Sequence, residues 1–145
     1  MQSGLIHAHS GLRWIILILL LASIYTAFSK KSSGDFTEGN RKLFLFTMIS
    51  THIQFVIGMV LYFLSDYVQF SGAVMKNPIQ RFYTVEHITL MILALVLITI
   101  GHSKSKKADS GEKKFKAISV FYLIALIIIL IAIPWPFRIE VAGWF

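Results

Sequence analysis

Four apolar runs, each about as long as a membrane helix, fill most of this 145-residue chain. They extend from about Leu5 to Phe28, Leu43 to Leu64, Phe82 to Gly101 and Phe115 to Ile133. At ~1.5 Å of rise per residue, roughly twenty residues carry a helix across the hydrocarbon layer. A backbone in lipid must satisfy its own hydrogen bonds, which restricts spanning structures to helices and closed barrels. Four strands are too few for a barrel, and the runs show no period-two alternation. The expected fold is therefore all-α: a four-transmembrane-helix bundle, an integral membrane protein with one domain over residues 1–145.

Composition narrows the function classes. Hydrophobic residues make up 56% of the chain and charged residues 14%, which excludes an ordinary soluble domain. Cys is absent, so disulfides, iron–sulfur clusters and thiolate metal sites are excluded. The net charge of +7 resembles a nucleic-acid signature. Here, however, the cations lie in short loops beside the spans, where they set orientation and meet anionic lipid. No nucleic-acid partner is expected. The first run lacks a basic leader, and Lys30 and Lys31 follow it, so it reads as a retained span.

The loops set the expected topology. Loop one, Ser29 to Lys42, carries Lys30, Lys31, Arg41 and Lys42. Loop three, Ser103 to Lys114, carries Lys104, Lys106, Lys107, Lys113 and Lys114, with Lys116 beyond it. Loop two, Ser65 to Arg81, carries only Lys76 and Arg81. The positive-inside rule places loops one and three in the cytoplasm and both termini outside, in the periplasm for an inner (cytoplasmic) membrane protein. Trp14, Tyr62, Tyr67, Tyr83 and Trp135 then fall near the outer interface. The tail from Arg138 to Phe145 is short and amphipathic and is expected to lie on the membrane surface.

Ionisable residues inside spans are expensive and usually face the bundle interior. This topology places His9 and Arg13 near the outer face and Glu86 and His87 at a similar depth. His52 falls near the middle of the second run, roughly 10 Å deeper than His87. His9 and Arg13, four apart, share a helix face. Neutral imidazole is a common ligand for metals and haem iron, and bundles hold porphyrins between histidines of facing helices. His9 with His87 is the depth-matched pair, and His52 with His87 is the next option. Arg13 is placed to neutralise a haem propionate, and Glu86 to orient a histidine or pair with Arg13. Gly58 and Ala94 allow close approach of a helix or a planar ligand.

Plainer roles compete. His102, in Gly-His-Ser-Lys, reads as an interfacial residue, and His7 as a surface one. The His7-x-His9 spacing does not put both rings on one helical face. His52 is equally suited to hydrogen bonding a neighbouring helix, and Arg13 to snorkelling beside Trp14. The fourth run, without a central ionisable residue, reads as scaffold.

The run Gly4-Leu5-Ile6-His7-Ala8-His9-Ser10-Gly11-Leu12-Arg13-Trp14 resembles the opening of small four-span membrane proteins common in Bacteroidota and often labelled "cytochrome B". The resemblance continues through Thr51-His52-Ile53-Gln54, Gly58, Glu86-His87 and Gly101-His102-Ser103-Lys104-Ser105-Lys106-Lys107, and so covers essentially the whole chain. It implies a haem-b-type membrane protein in respiratory electron transfer, with His9, Arg13, His52, Glu86 and His87 as the residues carried over. The chain is shorter than the respiratory cytochrome b subunit and lacks its paired histidines on two helices, which argues against a two-haem path across the membrane.

The leading expectation is one haem b near the outer leaflet. His9 and His87 would be the axial ligands, with His52 the alternative, and a quinol or a periplasmic redox protein the partner. Two axial ligands leave no open iron position, so the chain reads as an electron carrier or subunit more than an independent enzyme. The alternative is a cofactor-free accessory or assembly subunit of a larger membrane complex, with His52, Gln54, Glu86 and Arg13 as an internal network. Proton or metal-ion transfer through His52, Glu86 and His87 ranks last, because nothing ionisable continues inward from His52 until His102.

Overall fold

The computed structural model describes residues 1–145 and is all-helical, with four helices long and apolar enough to span a membrane. They are α1 (Gln2–Lys30), α2 (Glu38–Leu64), α3 (Pro78–Lys107) and α4 (Gly111–Ala132). The protein is a multi-pass membrane bundle.

Each helix overruns its apolar stretch at one end or both, and side-chain caps set the N-termini of α2, α3 and α4. Thr37 accepts a hydrogen bond from the Asn40 N–H while the Asn40 side chain accepts from the Thr37 N–H, a reciprocal cap that starts α2 five residues before Leu43. Asn77 caps the Ile79 and Gln80 amides ahead of α3, with Pro78 in the first turn. Ser110 accepts from the Lys113 N–H to start α4. The lysine-rich segments expected as loops are therefore largely helical. α3 runs to Lys107, leaving only Ala108 to Ser110 as the connection to α4. Loop one contracts to residues 31–37. Lys and Ser side chains are solvated outside the hydrocarbon and do not oblige the backbone to stop.

The helices pack in the cyclic order α1–α2–α3–α4, each mainly against two neighbours, so α1 faces α3 and α2 faces α4 across the diagonals. The tightest seam joins α3 to α4. A Cβ on Gly101 would lie 2.5 Å from Phe121 Cβ, so only glycine permits this approach. α1 and α2 are joined by a buried Ser23–Thr47 hydroxyl pair at 2.9 Å. Leu20, Ile98, Ile118 and Ala125 fill the centre. The end that carries the two short connections is closed by aromatic rings: Phe36, Phe44, Phe115 and Tyr122 lie within 5.2–6.3 Å of a neighbour in the group. Across that diagonal the Tyr122 hydroxyl donates to the Phe44 carbonyl at 2.8 Å. The opposite end holds both chain termini and is organised differently.

Candidate functional site

At the terminal end, α1 and α3 each send one imidazole across their diagonal. The His9 and His87 ring centroids are 6.5 Å apart with an interplanar angle of 73°. Two imidazoles sharing one metal ion, with bonds of roughly 2 Å each, stand with ring centres about 6 Å apart.

Three local features hold the pair. On α1, the Gln54 side-chain amide donates to the His9 carbonyl at 2.8 Å, clamping that turn to α2. Gly58 lies beneath the His9 ring, where an added Cβ would be 3.0 Å from Cε1. On α3, the turn before His87 is a π turn, Phe82–Glu86, closed by the His87 N–H on the Phe82 carbonyl. The Tyr62 hydroxyl donates to the Thr84 carbonyl inside that turn at 2.9 Å, supplying a partner where the regular ladder is broken. Isolated π turns recur at functional positions, where the inserted residue re-aims the side chains around it.

The fourth feature is the end of α4. Pro134 and Pro136 have no N–H, so the helix cannot continue its ladder. The Ile129 carbonyl still accepts from the Ile133 N–H at 2.9 Å. The next three carbonyls are capped by side chains. Leu130 accepts from Trp135 Nε1 at 2.9 Å, Ile131 from an Arg138 guanidinium N–H at 2.5 Å, and Ala132 from His87 Nδ1 at 2.7 Å. A carbonyl only accepts, so His87 Nδ1 bears the proton. In the neutral ring Nε2 then presents a lone pair. A histidine oriented through Nδ1 by a backbone carbonyl is a common arrangement for imidazoles that ligate metals through Nε2.

The buried polar atoms separate the two ends of the bundle. Only three buried side-chain nitrogen or oxygen atoms have no hydrogen-bond partner: His9 Nδ1, Arg13 Nε and Gln54 Oε1. All three belong to this end. At the other end the buried hydroxyls are engaged, as with Thr47 on the Leu43 carbonyl and Thr51 on the Thr47 carbonyl, both at 2.8 Å. Unmet polar valences beside a paired-imidazole geometry fit a metal-centred group with polar edges, and the donor set fits haem iron. Three or more His, Cys, Asp or Glu side chains do not converge anywhere in the fold, so a closed all-protein metal cage is not built here.

Other expected site residues fall elsewhere. Glu86 does not pair with Arg13. It forms an ion pair with Arg81 at 2.8 Å on the partly exposed outer side of α3, at the last residue of the π turn. Arg13 does not snorkel freely. It donates to the Trp144 carbonyl at 2.6 Å and lies 5.3 Å from the Trp14 ring. Trp14 Nε1 donates to the same carbonyl at 3.1 Å, and Trp14, Trp135 and Trp144 cluster within 6.1–6.5 Å. The tail thus folds back onto the bundle through Trp144.

His52 is not brought to His87. Its Nδ1 meets the Met48 carbonyl at 2.8 Å and its Nε2 faces the Thr99 hydroxyl at 3.4 Å. Thr99 is twelve residues beyond His87 on α3, roughly 18 Å along the helix. This removes the His52–His87 ligand alternative and breaks the His52–Glu86–His87 transfer path. His7 is exposed, and His102 lies half-buried in the lysine-bearing last turns of α3.

Tyr62 and the Ala132 carbonyl join the site with no role expected there from sequence, and Gln54, expected in an internal network with His52, Glu86 and Arg13, holds the His9 carbonyl instead. One signal was available for Ala132: prolines at 134 and 136 leave the carbonyls four residues earlier, at Leu130 and Ala132, without their helical donors. No family model, curated protein or solved structure matches the chain.

Proposed function

We propose that the protein binds one b-type haem at the terminal end of the bundle, between His9 and His87, and serves in electron transfer. The observation that carries this reading is the His9–His87 pair, 6.5 Å between ring centres on diagonally opposed helices, next to three unpartnered buried polar atoms. A bis-histidine haem supplies a one-electron iron couple with no open coordination position. His87 Nε2 is the free ligand atom of its ring, because Nδ1 is committed to Ala132. Gln54 fixes the His9 turn, and the Tyr62-supported π turn fixes the approach to His87. Arg13 supplies a cation whose Nε lacks a partner, suited to a carboxylate edge such as a propionate. The resemblance to four-span proteins labelled "cytochrome B" points the same way. By the positive-inside rule, the lysine-rich end is cytoplasmic and the histidine end faces the periplasm, which suits a quinol or a periplasmic redox partner.

A second reading is a cofactor-free accessory subunit of a larger membrane complex. The observation in its favour is that His87 and Arg13 already serve structural acceptors, the carbonyls of Ala132 and Trp144. A visible spectrum of the detergent-purified protein, oxidised and then dithionite-reduced, decides between the two. Haem binding gives a Soret band with sharp α and β bands on reduction, lost in His9→Ala and His87→Ala. A flat spectrum after expression with adequate haem supply overturns the haem reading and favours the accessory role.

A further inference from the structure

Two cavities open on the outside of the bundle at the histidine end, and they share one residue, Arg138. The upper one, about 720 Å³, lies between the connection that follows α2, the start of α3 and the tail, and its polar lining includes Lys76, Gln80, Arg138 and Glu140. The lower one, about 390 Å³, follows the α3–α4 seam into the apolar span and is lined largely by Phe82, Val85, Leu90 and Ile131. A cationic compartment at the interface thus adjoins an apolar slot at hydrocarbon depth. The Arg138 guanidinium marks the boundary, tethered by one N–H to the Ile131 carbonyl and retaining further donors.

We propose that this double cavity binds one anionic glycerophospholipid, with its phosphate between Lys76 and Arg138 and an acyl chain along the α3–α4 slot. Charge selects the occupant. Lys76 has no ion-pair partner in the fold, and at the upper cavity two cations face one carboxylate, Glu140. The acidic residue of the lower slot, Glu86, is neutralised by Arg81. Phosphate oxygens accept charge-assisted hydrogen bonds from ammonium and guanidinium donors, which favours an anionic headgroup between Lys76 and Arg138. A small planar ring fits less well, because it would fill the slot and leave the larger cationic compartment without a partner. The inference is independent of the haem reading.

The test is native mass spectrometry of the full-length protein in detergent, titrated with phosphatidylglycerol or with phosphatidylcholine of the same acyl chains. One phosphatidylglycerol per chain is expected to be retained, with roughly tenfold preference over phosphatidylcholine. Lys76→Gln should lower that preference several-fold. It is the cleaner variant, because Arg138 also caps α4. Glu140→Gln should raise retention. Equal retention of the two lipids, or a preference that neither Lys76→Gln lowers nor Glu140→Gln raises when each is made alone, would overturn the proposal. So would preferential retention of an added short-chain quinone that phosphatidylglycerol fails to displace.

Discussion

Substitutions at His87 can separate two roles that one ring performs. His87→Ala removes the donor to the Ala132 carbonyl. Pro136 cannot replace that donor, so the acceptor is left unpaired in a low-dielectric setting, at a cost of about 2 kcal/mol. The truncated ring leaves a half-filled space between α3 and α4, which adds about 1–2 kcal/mol. His87→Asn behaves differently. Its amide nitrogen branches from Cγ as Nδ1 does, so it can reach Ala132 and restore most of the cap, but it has no counterpart of Nε2. The two variants should therefore differ in stability by about 2 kcal/mol, close to 30-fold in the unfolding equilibrium, while both lose haem. The assay is reversible unfolding of the detergent-solubilised protein, followed by far-ultraviolet circular dichroism beside the visible spectrum. If His87→Ala and His87→Asn are equally stable, the capping argument fails. If His87→Asn keeps an undiminished Soret band, His87 is not the ligand.

Three further substitutions separate the site from the scaffold. Gly58→Ala should keep or slightly raise stability, since alanine favours helix by up to ~1 kcal/mol. It should nevertheless lower haem retention, because its Cβ would sit 3.0 Å from His9 Cε1 and displace the ring. Stability and the visible spectrum measured together check that opposition. Gly101→Ala meets Phe121 Cβ at 2.5 Å and should destabilise the α3–α4 seam by about 1–3 kcal/mol, with the haem bands unshifted in the fraction that remains folded. His52→Ala should leave the spectrum unchanged, since His52 faces Thr99 and not the histidine pair. Loss of the bands in that variant would refute the present ligand assignment.

The fold was legible because one physical constraint dominates it. Four apolar runs in lipid admit only helices, and the polar stretches between them mark where the chain must turn back. Span ends were less legible, because hydropathy reports where hydrocarbon begins, whereas Thr37, Asn77 and Ser110 decide where the helices begin. The His9–His87 pairing followed from depth alone, since both helices start at the same end. Depth does not give rotation about a helix axis, and so it does not reveal which neighbours Glu86 and His52 face. Glu86, at the last residue of the π turn, faces Arg81 on the outer side of α3, and His52 lies on a seam where α2 meets α3. Nothing in the sequence neighbourhood of Arg13 indicates that a carbonyl 131 residues away would reach it.

The two ends of the bundle suggest how structural and functional polarity can be told apart in a protein of this size. At the lysine-rich end, Ser23, Thr47, Thr51 and Tyr122 carry oxygens into an apolar core, and each finds its partner within the fold. Such groups close on themselves because an open valence in hydrocarbon is costly. At the histidine end the same chain leaves His9 Nδ1, Arg13 Nε and Gln54 Oε1 unmatched, although at that same end three side chains cap three successive carbonyls of α4. A sequence able to cap those carbonyls was not short of donors or acceptors. If the open valences serve a ligand, replacing them with apolar residues of similar shape should stabilise the ligand-free protein, as removing unsatisfied buried polar atoms generally does. Gln54→Leu is the informative case, because it deletes the unmatched oxygen together with the amide that holds the His9 carbonyl. If the open oxygen dominates, the variant is more stable than wild type by about 1 kcal/mol and binds less haem. If it is less stable, the bond to His9 outweighs the open oxygen, and Gln54 is scaffold like the hydroxyls at the other end.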